Sequence, residues 1–129
     1  MVDETKLHEF IGKMLGDLGG ALSVPLVRIG DRLGLYRALH ADGPMTPGEL
    51  AAKADIAERY AREWLSHQAA SGYLAYDPGS GRFTLPPEQA MVFAEPDSPV
   101  YRPGAFDVAL AMMESQALVE PAFRTGKGV

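Results

Sequence analysis

The sequence contains no cysteine. Disulfide scaffolds and thiolate metal sites are thereby excluded, and a reducing cytoplasm is the expected compartment. An excess of positive charge is also missing: 12 Lys and Arg stand against 17 Asp and Glu, a formal net charge of −5. A protein that binds nucleic acid by displacing phosphate counterions needs a basic footprint, so the overall field works against such a partner. No uninterrupted apolar run approaches the roughly 20 residues that cross a bilayer, and no membrane partner is expected. The opening MVDETKLHEF is acidic and polar where a secretory signal has its apolar stretch.

Catalytic and metal signatures are scarce too. His8, His40 and His67 are far apart and show no ligand spacing, so no metal site is expected. Ser23, Ser66, Ser71 and Ser98 lack a nucleophile-elbow context, and no two carboxylates stand out as acid and base. The glycines of Gly16-Asp17-Leu18-Gly19-Gly20 follow a helical pattern, whereas a dinucleotide loop follows a strand. Gly126-Lys127-Gly128 lacks the other residues of a phosphate loop and reads as a connector. No catalytic and no cofactor-binding residue is assigned.

What is present is a globular chain of 129 residues with 47% hydrophobic and 22% charged residues. Leu7, Phe10, Ile11, Met14, Leu15 and Leu18 recur at helical spacing, and Gly16, Gly19 and Gly20 are expected to bend or break that helix. A second helix is expected from Ala21 to His40, apolar nearly all round, with Pro25 starting or kinking a segment. Asp42-Gly43-Pro44 closes it.

Thr46-Pro47-Gly48-Glu49 is a helix start, with a capping hydroxyl, a proline at the first position and a Glu where a capping box needs it. Leu50, Ala51 and Ala54 form its inner face. A further helix is expected over 58–71, with Tyr60, Ala61, Trp64, Leu65, Gln68 and Ala69 inward, an Arg59–Glu63 pair on its surface, and Gly72 as the stop. Tyr73 to Tyr76 and Arg82 to Leu85 have strand chemistry around the turn Pro78-Gly79-Ser80-Gly81. Helix, turn, helix, hairpin is the order of a winged helix.

A short helix follows from Pro86 to about Phe93, then a proline-rich loop from Glu95 to Pro103. A last helix is expected over 104–120, with Phe106, Ala109, Leu110, Met113 and Ala117 on one apolar face and Val108, Met112 and Val119 on another. The fold class is mainly α: a winged helix-turn-helix with a small β-hairpin wing and added N- and C-terminal helices for dimerisation. The expected division is 1–94 for the N-terminal helices and winged helix, and 95–129 for a linker and helix.

GDLGGALSVPLVRIGDRLGLYRAL, from Gly16 to Leu39, resembles the N-terminal dimerisation helices of bacterial class I S-adenosylmethionine-dependent methyltransferases. The segment after it resembles their winged helix: Gly34-Leu35-Tyr36, Thr46 to Ala51, Arg59 to Leu65 and Gly81 to Leu85 match the family's successive motifs in order. The resemblance implies a homodimer and a parent enzyme with a C-terminal Rossmann-like domain that holds S-adenosylmethionine and methylates a small-molecule acceptor. The glycine-rich loop of that domain is not among these residues, so no methyl transfer is expected from this chain alone.

On that reading, apolar excess marks Phe10, Met14, Leu22, Leu26 and Ile29 for the dimer seam. It marks Phe106, Met112, Met113 and Gln116 for a lid over the acceptor. The alternative is a winged-helix transcription regulator that would bring Arg59, Arg62, His67 and Arg82 to DNA. The helix carrying most of these residues balances Arg59 and Arg62 against Glu58 and Glu63, which weighs against that role.

Overall fold

The computed structural model describes residues 1–129. Seven helices and one hairpin follow in the order α1 (Glu4–Arg32), α2 (Leu35–Asp42), α3 (Pro47–Ala54), α4 (Glu58–Ala70), β1 (Ala75–Asp77), β2 (Arg82–Thr84), α5 (Pro87–Phe93), α6 (Gly104–Glu114) and α7 (Gln116–Thr125). The winged helix is α2, α3 and α4 with the β1–β2 hairpin as wing.

The expected helix break at Gly16, Gly19 and Gly20 does not occur. α1 is one helix of 29 residues that runs through these glycines and through Pro25. A helical glycine costs only about 1 kcal/mol relative to alanine, and the helical ladder runs on through all three. Pro25 has no N–H to give to the Ala21 carbonyl, and α1 tolerates that single loss. The actual break comes at Gly34, whose φ of +71° is open to glycine without strain.

Local signals position the winged helix. Thr46 caps α3 by accepting the Glu49 amide at 3.2 Å, with Pro47 in the first turn. Gly72, at φ +81°, reverses the chain after α4, and Tyr73 N–H donates to the Gln68 carbonyl at 2.8 Å. The hairpin pairs Ala75 with Thr84, Tyr76 with Phe83 and Asp77 with Arg82. Met45 joins as a short third edge, exchanging two backbone hydrogen bonds with Phe83 at 2.8 and 3.0 Å.

The core gathers Val27 of α1, Leu35, Tyr36 and Leu39 of α2, Leu50 of α3, Trp64 and Leu65 of α4, Phe83 of the wing and Phe93 of α5. Each such side chain stabilises the fold by roughly 1.5–3 kcal/mol. Tyr36 is the hub: its ring stacks on Phe93 at 4.6 Å and meets Trp64 edge-on at 5.0 Å. Tyr60, expected inside α4, points outward at 72% exposure. It precedes Ala61 on the helix, and Ala61 takes the buried position.

Gln68 is the one buried polar side chain amid this cluster. Its Oε1 accepts the Tyr36 hydroxyl at 2.5 Å, and its Nε2 has no partner. Burial, with Tyr73 and Asp31 adding in the same direction, pushes the Tyr36 hydroxyl far above the usual tyrosine range, so it stays a donor.

α6 returns to the body. Phe106 packs against Phe93, centroids 5.8 Å apart, and Arg28 of α1 bridges Asp107 at 2.8 Å. The expected single helix over 104–120 is two helices joined at Ser115, and α7 continues to Thr125, into the expected tail. The Ser115 hydroxyl donates to the Ala111 carbonyl at 2.6 Å, a back-bond that competes with the helical ladder.

Two tests follow from the core. A Cβ on Gly30 would collide with the Trp64 ring and lie 2.9 Å from the Tyr36 ring, whereas Gly20 has nothing within 4 Å. Urea denaturation is expected to show Gly30→Ala losing about 1–3 kcal/mol, and Gly20→Ala gaining up to about 1 kcal/mol. Tyr36→Phe strands Gln68 and is expected to cost about 1–3 kcal/mol, while Tyr36→Phe with Gln68→Leu recovers part of that loss in the same assay.

Candidate functional site

Two surfaces of this fold have chemistry without a partner. The first is the projecting part of α1. Every residue from 1 to 22 is exposed; only Ser23, Val24, Val27 and Gly30 are buried against the body. The attachment is specific: Trp64 Nε1 donates to the Leu26 carbonyl at 2.8 Å, and the Ser23 hydroxyl lies 3.1 Å from His67 Nε2. Beyond it, Leu7, Ile11, Met14, Leu18 and Leu22 line one helix face, flanked by Phe10 and Leu15, all of them exposed. Monomers rarely leave so many large apolar side chains in one strip.

The seam residues expected from sequence divide. Phe10, Met14, Leu22 and Ile29 are exposed and apolar, as a docking face requires. Leu26 is half-buried, packs against the core and lends its carbonyl to Trp64, so most of its role is internal. By length and composition alone α1 also meets the minimum for a membrane-crossing helix. Its C-terminal turns are packed on protein, and Lys6, Glu9, Lys13 and Asp17 interrupt the outer half.

The second surface is a groove of about 670 Å³ along α6 and α7, lined by Val108, Ala111, Met112, Ser115, Gln116, Val119, Glu120 and Phe123. Ser115, the residue between the two helices, stands at the middle of this lining. Of the expected lid residues, Met112 and Gln116 line this groove. Phe106 instead faces inward, toward Tyr73 and Phe93, and Met113 is half-exposed outside the groove. Phe123, at 87% exposure, was not among the expected site residues. Its signal was the spacing Val108, Met112, Val119, Phe123, which carries on past Pro121.

The winged-helix face offers less. Arg82 of the wing donates to Glu49 at 2.6 Å and to the Pro44 carbonyl at 3.2 Å. That bond is the main reason the Glu49 carboxyl is held below its usual range and Arg82 is raised above its own. The tether is therefore present at neutral pH and is lost only as acid protonates Glu49. On α4, Arg62 pairs with Glu58 at 3.2 Å, where an Arg59–Glu63 pair was expected. Ser71 lies 3.3 Å from His67 Nε2, opposite Ser23. Of the four residues of the DNA alternative, only Arg59 is without a side-chain partner.

Among His, Asp and Glu no cluster of three could hold a metal ion. The arrangement can dock apolar surfaces.

Solved structures share this fold. The mitomycin 7-O-methyltransferase MmcR superposes at a TM-score of 0.72, with 23% identity, over 96% of this chain and 37% of that one. PigF with SAH matches at a TM-score of 0.72, with 18% identity, over 88% of this chain and 33% of that one. CalO1, a methyltransferase in calicheamicin biosynthesis in its SAH-bound form, matches at 0.58, with 23% identity, over 90% of this chain and 31% of that one. The chain thus spans about a third of the length of these proteins. No curated protein matches it in sequence. The sequence model of the Rv2258c-like winged HTH domain matches residues 20–95, from the anchored part of α1 to the end of α5, and the chain belongs to that family.

Proposed function

We propose that this chain is the subunit-pairing and acceptor-roofing module of an S-adenosylmethionine-dependent small-molecule methyltransferase, working in a reducing cytoplasm. The observation that carries the reading is the pair of uncovered apolar surfaces, one at each end of an otherwise well-packed winged helix. A homodimer would cover the α1 face, with Phe10, Met14, Leu22 and Ile29 at its centre and Leu26 at its inner edge. The groove of α6 and α7 would face a Rossmann-like domain that holds the methyl donor, with Met112 and Gln116 toward the acceptor. Shared fold with MmcR and CalO1, both described as methyltransferases, supports the direction of this reading. Methionine suits such a roof because its unbranched thioether adapts to irregular shapes. Water exclusion would be the module's contribution to transfer.

Sedimentation equilibrium is expected to give twice the 13.9 kDa of one chain. Phe10→Glu with Leu22→Glu is expected to weaken association at least tenfold, since each places a charge in an apolar seam, with the far-ultraviolet circular dichroism unchanged. A monomer at all concentrations removes the pairing role. The methyltransferase assignment is tested separately, by titrating the product of the complete reading frame with S-adenosylhomocysteine. Saturable binding that residues 1–129 alone do not show is expected, and no binding by either removes the assignment.

A further inference from the structure

The wing and α4 leave a cleft between them that neither the pairing face nor the α6–α7 groove uses. We propose that this cleft binds a small planar aromatic carboxylate, with Arg62 on the carboxylate and Tyr76 against the ring.

Local geometry builds the cleft. Arg62, Ser66 and Ala69 follow at i, i+4 and i+7 and so share one face of α4. That face is turned away from Trp64, which holds α1 on the other side of the helix. Tyr76 and Phe83 are paired in register across the hairpin, so both point to the same side of it. Together with Pro47 of α3 these residues line about 460 Å³, the size of an ordinary small-molecule site.

The lining has two chemical parts. The inner part is apolar and aromatic: Phe83 and Pro47 are buried, and the half-exposed Tyr76 ring tilts on Phe83 at 4.7 Å. A flat ring entering here would meet Tyr76 in offset or edge-on contact. The rim has donors to spare. The Arg62 guanidinium gives one hydrogen bond, from Nη2 to Glu58 at 3.2 Å, and leaves Nη1 and Nε unused. Both side chains of that pair are more than half exposed, so it is a weak tether. Every other serine hydroxyl in the chain has a hydrogen-bond partner. That of Ser66, at the cleft, has none.

These donors select the ligand's charge. The edge of a guanidinium matches a planar carboxylate with two parallel hydrogen bonds, and Ser66, one turn further along α4, can give a third. The net charge of −5 opposes a polyanion, whereas one guanidinium balances one carboxylate. The reading does not rest on the pairing role.

The test is an amide-resolved magnetic resonance titration of the chain with 2-naphthoate, and with 2-naphthamide as its uncharged counterpart of the same shape. Saturable shifts at Ser66, Ala69, Tyr76 and Phe83 are expected with 2-naphthoate, at a Kd of about 1 mM or tighter, and the amide is expected to bind about fivefold more weakly. Arg62→Gln is expected to weaken 2-naphthoate binding about fivefold and to erase its preference over the amide. Ser66→Ala is expected to weaken it about twofold. Both positions are exposed, so Tm should not move. Phe10→Glu with Leu22→Glu is expected to leave 2-naphthoate binding unchanged, which separates this site from subunit pairing. No saturable shift, shifts confined to the α6–α7 groove, equal binding of acid and amide, or full binding by Arg62→Gln would each overturn the proposal. So would a duplex oligonucleotide that shifts the same amides at lower concentration, because the rim would then serve a polyanion.

Discussion

Trp64 holds this architecture together. Its indole fills the space that Gly30 leaves by lacking a Cβ, meets the Tyr36 ring edge-on, and spends its single N–H on the Leu26 carbonyl. One side chain of the recognition-type helix thus binds α1 by shape, by aromatic contact and by a hydrogen bond. The hydrogen bond lies beside Pro25, where the helix ladder has already lost a donor. With α1 fixed in direction at that point, its first five turns are carried out of the body. Through Tyr36, Phe93 and Phe106 the same aromatic chain reaches α6 and sets where the groove begins. Both outlying surfaces therefore take their positions from a single packed centre.

Under the proposed pairing role, the winged helix would serve as a mount rather than a reader. The basic residues a reader would present are tied down: Arg82 to Glu49 and Arg62 to Glu58. The net charge is −5. What the domain presents instead is oil, on α1 and along α6–α7. Burying it against other protein surface is where the free energy of assembly would come from. Docking of this kind needs no titratable set.

Much of the winged helix was legible because its signals are local. Thr46 and Pro47 start α3, Gly72 ends α4, and the turn at Pro78 to Gly81 needs no tertiary help. Three features were not legible for the opposite reason. Glycines 16, 19 and 20 read as a break, yet each costs a helix only about 1 kcal/mol and helix propensity is a weak prior. Ser115 gave no sign of ending a helix, because its back-bond to Ala111 matters only where packing lets the chain bend. Tyr60 sits at the edge of the inward stripe of α4, and a few tens of degrees decide whether it is core or surface. For the site, Phe10, Met14, Leu22 and Ile29 followed from apolar excess alone as exposed apolar side chains. Leu26 and Phe106 did not, since excess apolarity cannot distinguish a residue awaiting a partner from one that already has it.

Under the proposed pairing, α1 is clamped only over its last turns and its outer half is covered by another copy. Amide hydrogen exchange read residue by residue at several protein concentrations tests it most directly. The account predicts that the amides of Val24 and Val27 to Gly30 are protected at every concentration. Those of Ile11 to Leu18 should be protected only when copies associate, and should exchange rapidly on dilution. Protection of Ile11 to Leu18 equal to that of the core in a dilute monomer would contradict the account, because the arm would then have found its cover within its own chain.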